Sequence, residues 1–224
     1  MLLHLKNVLT PDQLQGVREM LARVKFVDGK ASAGMAAVRV KNNQEADRQA
    51  QEIRHLDNLV MGSLVQHPVY RAGALALKVA TPFYARYVPG MHYGDHVDDP
   101  IMGAGEGLYR TDVAITIFLN DPASYDGGEL VVNTPFGEQK VKLPAGDAVM
   151  YPASSLHHVA EVTRGERLVA VTWVQSLVRD PAKRELLYEL NQVRERLLKE
   201  APEHADTARI NTVYVNLFRM WSEL

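Results

Sequence analysis

This chain of 224 residues contains no cysteine. A disulfide framework, a Cys-ligated zinc and an iron–sulfur cluster are therefore excluded, and any bound metal must rely on His, Asp, Glu or water. No stretch reaches the roughly 18 consecutive apolar residues that mark a membrane-spanning helix. Lys and Arg form no run, and the formal net charge is only −2, which argues against a nucleic-acid partner. The opening residues, Met1-Leu2-Leu3-His4-Leu5-Lys6-Asn7, lack the charged start and long apolar run of a signal peptide, so a cytoplasmic protein is the expectation. There is neither an internal repeat nor a low-complexity segment. What the chain does have is 46% hydrophobic residues, enough for one globular domain with a sizeable core.

The hydrophobic period divides the chain into three parts. Leu2 to Val8 reads as a short strand. Thr10-Pro11-Asp12-Gln13 starts a helix: Thr caps, Pro takes the first turn and Gln closes a capping box. Leu14, Val17, Leu21 and Val24 follow at helical spacing. Residues 28–44 read as loop and short strand. Residues 46–65 carry Ile53, Leu56, Val60 and Leu64 on one helical face, stopped by His67-Pro68. From about residue 74 the period shortens to two. Strands are predicted at 75–79, 82–88, 91–98, 112–119, 129–133, 138–143, 147–151 and 167–174, with turns at Gly127-Gly128 and Ala145-Gly146-Asp147. Asp180-Pro181 restarts helix, with Leu186, Leu190, Val193 and Leu197 as the expected apolar face. A last helix carries Ile210, Val213, Leu217 and Met220. The fold class is α+β: a β-rich core, best matched by a double-stranded β-helix (jelly roll), flanked by N-terminal and C-terminal helices. The expected organisation is a support region at 1–76, the jelly-roll domain at 77–177 and a helical region at 178–224.

Three His-x-Asp pairs occur: His55-Leu56-Asp57, His96-Val97-Asp98 and His204-Ala205-Asp206. The first lies in a helix pattern, where residues two apart do not face each other. The third lies in a polar gap between helices. Only His96 and Asp98 lie in a run that reads as strand, where residues two apart share a face. An imidazole and a carboxylate side by side are two of the three groups of the 2-His-1-carboxylate triad of non-haem iron oxygenases. A second His could come from His157-His158. Alternation along a strand lets only one of these join easily, and spacing alone does not choose between them. Arg167 opens the last strand, and its planar fork suits a carboxylate ligand. Each feature taken singly has a plainer explanation: a hydrogen-bonded pair, a solvated strand end or a core aromatic such as Tyr87 or Tyr93. Their combination on a strand-rich core without cysteine favours the metal site.

At these residues the sequence resembles a family. Tyr87-x-x-Gly90-x-x-Tyr93-x-x-His96-x-Asp98 resembles the first iron motif of prolyl 4-hydroxylase-type Fe(II)/2-oxoglutarate dioxygenases, and Leu156-His157-x-Val159 with Gly165-x-Arg167 resembles the second. Tyr125-Asp126-Gly127-Gly128-Glu129-Leu130, Leu143-Pro144-Ala145-Gly146-Asp147, Val40-Lys41-Asn42-Asn43 and the ending Met220-Trp221-Ser222-Glu223-Leu224 extend the likeness to bacterial PKHD-type hydroxylases, some associated with iron uptake. Glu161 stands where the family has proline.

The resemblance implies Fe(II) held by His96, Asp98 and His157. It also implies 2-oxoglutarate held by Arg167 with Tyr87, L-ascorbate as an accessory, and hydroxylation of a substrate with release of succinate and CO2. The partners implied are 2-oxoglutarate, O2 and a prolyl or lysyl residue or small molecule, with no nucleic acid, no membrane and a homo-oligomer as the weaker expectation. Residues 99–110, with three glycines, read as a mobile loop or lid at the mouth. The competing class is a cupin-like metal-binding or sensor module without catalysis. Arg167 argues against it, because a bare metal sensor needs no carboxylate partner. A third class is a helix-mediated interaction protein, which would keep its complex after iron is lost.

Overall fold

Val113 to Phe118, Val-Ala-Ile-Thr-Ile-Phe, is buried at all six positions. A strand without a polar face must be covered on both sides, and that requirement sets the layering. In chain order the computed structural model, which describes residues 1–224, places β1 (Leu3–Leu5), α1 (Pro11–Leu21), β2 (Phe26–Asp28), β3 (Lys41–Asn42), β4 (Gln44–Ala46), α2 (Glu52–Gln66) and α3 (Pro68–Ala74). There follow β5 (Ala76–Val79), β6 (Phe83–Tyr87), β7 (His92–His96), β8 (Ile101–Met102), β9 (Tyr109–Arg110), β10 (Val113–Phe118) and β11 (Asp126–Gly127). Next come β12 (Leu130–Thr134), β13 (Gly137–Val141), β14 (Ala148–Pro152), β15 (His157–Val159), β16 (Val162–Arg164) and β17 (Arg167–Ser176). The helices α4 (Pro181–Glu200) and α5 (Ala205–Trp221) close the chain.

Two main antiparallel sheets result, beside the two-stranded pairs β8-β9 and β11-β16. The larger runs β1-β14-β10-β17-β6-β4-β2, with β5 also paired to β17; the smaller runs β13-β12-β15-β7-β3. One face of the larger sheet, with Ile115 and Ile117 of β10 and Leu168 and Ala170 of β17, packs on α1, α2 and α3 through Leu14, Val17, Leu56, Val60 and Tyr70. The opposite face, with Ala114 and Phe118, meets Leu130, Val132 and Val159 of the smaller sheet in a second core. The functional side chains lie between the sheets. The N-terminal segment contributes to both, through β1, β2 and β4 in the larger and β3 in the smaller.

The capping box forms as read. Gln13 N donates to Thr10 Oγ1 at 3.3 Å, and Thr10 N donates to Gln13 Oε1 at 2.9 Å. Several boundaries move for physical reasons. The second helix begins at Glu52 rather than residue 46, because Gln44–Ala46 is held as a strand between β2 and β6. Pro68 ends one helix and also opens the next, α3, as a first-turn proline. The strand expected over 91–98 stops at His96, so Asp98 lies beyond it. Residues 101–110 are not plain loop: β8 and β9 pair as a hairpin, with Tyr109 Oη bonded to Met102 Sδ.

The C-terminal helices pack as expected of amphipathic segments, but only partly on the expected residues. Leu187 and Tyr214 join Leu75 and Val178 in a third core, with Leu190, Leu217, Phe218 and Trp221 against it. Leu186, Val193, Val213 and Met220, assigned to the buried stripe from spacing, are exposed. The helical period is right, and Leu190 and Leu217 pack as expected, but the buried centre of α4 is Leu187 and not Leu186. Buried Arg184 sets it, donating to Val178 O, Arg179 O and Asp112 O. A hydrogen-bonded charged residue inside the stripe shifts the apparent apolar face by one position.

The phase is testable. Leu187 is 1% exposed and Leu186 61%. Leu187→Ala should cost about 2–5 kcal/mol, as large-to-small core changes do. Leu186→Ala should stay within about 0.5 kcal/mol, as at ordinary surface sites. Urea denaturation of the two variants measures the difference.

Candidate metal centre and carboxylate pocket

His96 closes β7, and His157 opens β15 directly across the ladder from it. This register brings the two imidazoles together, ring centres 4.2 Å apart. Alternation along β15 then sorts the pair that spacing left open. His157 is buried and faces inward, whereas His158 faces outward, its Nδ1 2.8 Å from Asp95 Oδ1. Asp98 has no strand to hold it and is fixed by a side chain: Trp173 Nε1 donates to its Oδ2 at 2.8 Å. One donor atom from each of His96, Asp98 and His157 lies within 4.8 Å of the other two. The other His-x-Asp pairs serve locally. Asp57 accepts from Tyr84 Oη, and His204 caps α5.

The hydrogen bonds orient the donor set. Nδ1 of His96 lies 2.8 Å from Gly94 O, and Nδ1 of His157 lies 2.9 Å from Ser155 O. A carbonyl only accepts, so both Nδ1 atoms carry the proton and both Nε2 atoms keep a lone pair. With Oδ2 of Asp98 engaged by Trp173, Oδ1 is left facing His157 Nε2 at 3.9 Å. Two imidazole nitrogens and one carboxylate oxygen, each backed by a second hydrogen bond, fit the iron triad that the residue types implied. Tyr93 stacks flat on His96, ring centres 3.7 Å apart and planes 10° apart, and Tyr151 meets His157 edge-on.

Arg167 opens β17 opposite Tyr87 of β6. Its guanidinium carbon lies 4.9 Å from the centre of the Tyr87 ring and 5.8 Å from that of Phe118. The side chain is 1% exposed, its Nε has no hydrogen-bond partner, and it belongs to no ion pair. An isolated buried charge costs several kcal/mol unless an anion meets it. Burial raises the Tyr87 phenol, and Arg167 offsets part of that. Gly128, read only as a turn, makes room here: at φ +67° it tolerates the turn, and a Cβ would press within 3.0 Å of Arg167 Cδ. Arg164, three residues earlier at the end of β16, is exposed and pairs with Asp126.

The triad and Arg167 open into one cavity of about 100 Å³ between the sheets. Sequence reasoning missed several of its walls. Lys41 Nζ contacts Glu45 Oε1 at 2.6 Å and Ser32 Oγ at 2.8 Å, and this pair is almost fully buried. Asp99 lies at the rim against Gly34, where a Cβ would fall 2.2 Å from its Oδ2. Trp173 could have been found, since Arg167, Val171 and Trp173 are spaced by even numbers along one strand and all line the cavity. Lys41 enters only through the Val40–Asn43 likeness and Glu45 not at all, because strands of two and three residues show no period.

The profile of the 2OG-Fe(II) oxygenase superfamily matches residues 82–175, and that of the PKHD-type hydroxylase C-terminal domain matches residues 181–223. The antiparallel sheets and the His-Asp-His cluster thus place the chain in the class of 2-oxoglutarate- and iron-dependent oxygenases, and it is an enzyme of that class. A PKHD-type hydroxylase of Thioalkalivibrio sulfidiphilus is 53% identical over the full length of both chains, and one of Thermosynechococcus vestitus is 43% identical, again over both full lengths. The chain belongs to the PKHD-type hydroxylase family. Among solved structures, the fold is shared with a Trichoplax adhaerens prolyl hydroxylase in complex with a hypoxia inducible factor peptide fragment. The TM-score is 0.55 and the identity 15%, over 83% of this chain and 86% of that one.

Two measurements check the electrostatics. Burial first, and the neighbouring His157 second, hold His96 down at about 4, against about 6.5 for a free imidazole. Between those values the unfolded chain binds a proton that the folded chain does not, so stability rises with pH there. Metal-free protein should keep its full stability above about pH 6.5 and lose it as the pH falls towards about 4. Denaturation midpoints across that window should show the slope, and His96→Gln should flatten it. Lys41→Met alone strands a buried carboxylate and should cost about 3–5 kcal/mol, whereas Lys41→Met with Glu45→Leu should recover most of that. Thermal unfolding of the single and double variants decides.

Proposed function

We propose that this chain is an Fe(II)- and 2-oxoglutarate-dependent dioxygenase in which His96, Asp98 and His157 hold the iron and Arg167, with Tyr87, holds 2-oxoglutarate. The observation that carries the assignment is Arg167: a buried guanidinium without a carboxylate partner, in the same cavity as the triad. The chemistry supplied when iron and co-substrate are bound is coupled oxidation, in which 2-oxoglutarate and O2 give succinate and CO2 while a substrate C–H becomes C–OH. The protein's own part is binding, orientation and exclusion of water. Arg167 offers a bidentate fork to the distal carboxylate of 2-oxoglutarate. Its position fixes which end of the co-substrate faces the triad. The two Nδ1 hydrogen bonds hold both imidazoles in the tautomer that coordinates metal. With only three protein donors, the site would leave the metal open to the co-substrate and O2. A non-catalytic metal sensor has no use for the unpaired Arg167.

We read the two-sheet core as a jelly roll, with residues 1–76 as its support, 77–177 as the catalytic domain and 178–224 as a helical buttress. L-Ascorbate is the accessory reductant this reading includes. The 99–110 hairpin, which brings Met102 to the cavity, serves as a lid in it. The substrate in this reading is a prolyl or lysyl residue or a small molecule, with a link to iron uptake carried over from the family resemblance.

Metal analysis separates ligand from neighbour: Asp98→Ala should lose iron, and His158→Ala should retain most of it. The opposite pattern would remove the assignment. Arg167→Ala should raise the 2-oxoglutarate concentration needed for succinate formation about ten- to a hundredfold, the equivalent of a charge-assisted hydrogen bond of roughly 1.5–3 kcal/mol. It should keep its iron. Arg164→Ala should leave that concentration unchanged.

A further inference from the structure

Asp98 lies outside the strand that carries His96, so the ladder that aligns the two histidines does not align the carboxylate. Its backbone neighbour Val97 is half exposed, and the run after it turns away into the 101–110 hairpin. The strongest specific hold on the Asp98 side chain is the indole N–H of Trp173, at 2.8 Å from Oδ2. The indole is itself fixed. Trp173 sits on β17 paired with Ala114 of β10, and its ring meets Phe83 edge-on with centres 5.8 Å apart. An indole nitrogen only donates, so its one hydrogen bond defines which carboxylate oxygen is taken.

Resting on the reading of the triad as the iron site, we propose that Trp173 is a positioning residue. Its N–H claims Oδ2 and restricts Asp98 to a single coordinating oxygen, Oδ1. A carboxylate free to swing could present both oxygens and close a position that the co-substrate or O2 requires. β17 then performs two tasks on one face: Arg167 at its start anchors the distal carboxylate of the co-substrate, and Trp173, six residues on, sets the metal carboxylate. The contact is part-buried and lines the inter-sheet cavity.

The test uses full-length protein with cobalt(II) and zinc(II) as probes. Trp173→Phe keeps an aromatic ring and deletes the N–H. It should weaken cobalt binding about ten- to a hundredfold, as loss of an outer-shell partner does. It should also alter the visible ligand-field bands of the loaded protein, which a purely structural loss of packing would leave in place. Trp173→His, which restores a ring N–H, should recover part of both. The chain has only two tryptophans, Trp173 and Trp221, so indole N–H resonances of the unaltered protein give an independent readout even if the variants fold poorly. Assigned through Trp221→Phe, the Trp173 signal should shift when zinc is added and the Trp221 signal should not. Unchanged cobalt affinity and bands in Trp173→Phe, or an unmoved Trp173 resonance on zinc binding, would overturn the proposal. If cobalt binding does not depend on Asp98 at all, the triad reading itself fails, an outcome distinguishable from loss of the Trp173 role alone.

Discussion

A guanidinium sealed between two apolar sheets without a counter-ion is the constraint on which this structure turns. Arg167 reaches the interior because β17 is buried on both faces and its inward positions have nowhere else to point. Tyr87 and Phe118 supply π faces that soften the desolvation cost, but a cation over a ring is worth only a fraction of an ion pair. The fold therefore carries a local penalty that an anion in the cavity relieves. The nearby acidic groups are engaged or peripheral: Asp98 accepts from Trp173, Glu45 pairs with Lys41, and Asp99 lies at the rim.

That division of charges gives the cavity its polarity. The triad lies where the smaller sheet brings β7 and β15 together, and Arg167 and Trp173 lie on the larger sheet opposite. Neither sheet alone makes a site. The apolar contact between them, with Ala114 and Phe118 against Leu130, Val132 and Val159, fixes their separation and so fixes the distance between the His-Asp-His cluster and the guanidinium. On the far side, the helices packed on Ile115 and Ile117 stiffen the same strands. The C-terminal helices are tied in through Arg184, whose guanidinium satisfies backbone carbonyls at the start of β10 and just after β17.

The parts legible in the sequence were those with a strong local signal. The capping box at Thr10, the alternating strands and the His96, Asp98 and His157 motifs each depend on neighbours two to four residues away. The unread parts depend on contacts distant in sequence. Alternation puts Asp98 on a strand, yet the strand ends at His96 and the side chain is held by Trp173, 75 residues further on. The stripe on α4 was misphased because a polar Arg184 is buried through carbonyls that hydropathy does not register. Lys41 and Glu45 belong to strands too short to show a period. Pro68 after a helix pattern signals a stop, yet a proline at the first turn is equally a start, and here it is both. Alternation did establish that only one of His157 and His158 could join the site. The register of β15 against β7 shows that it is His157 that faces inward.

The most direct measurement is anomalous diffraction from crystals grown with manganese(II) and 2-oxoglutarate, with data collected at the manganese edge. The account predicts one strong peak per chain, bounded by Nε2 of His96, Nε2 of His157 and Oδ1 of Asp98, and a co-substrate whose distal carboxylate meets the Arg167 guanidinium in a two-point contact. A metal peak away from these atoms, or a co-substrate carboxylate bound elsewhere with Arg167 still unpartnered, would contradict it.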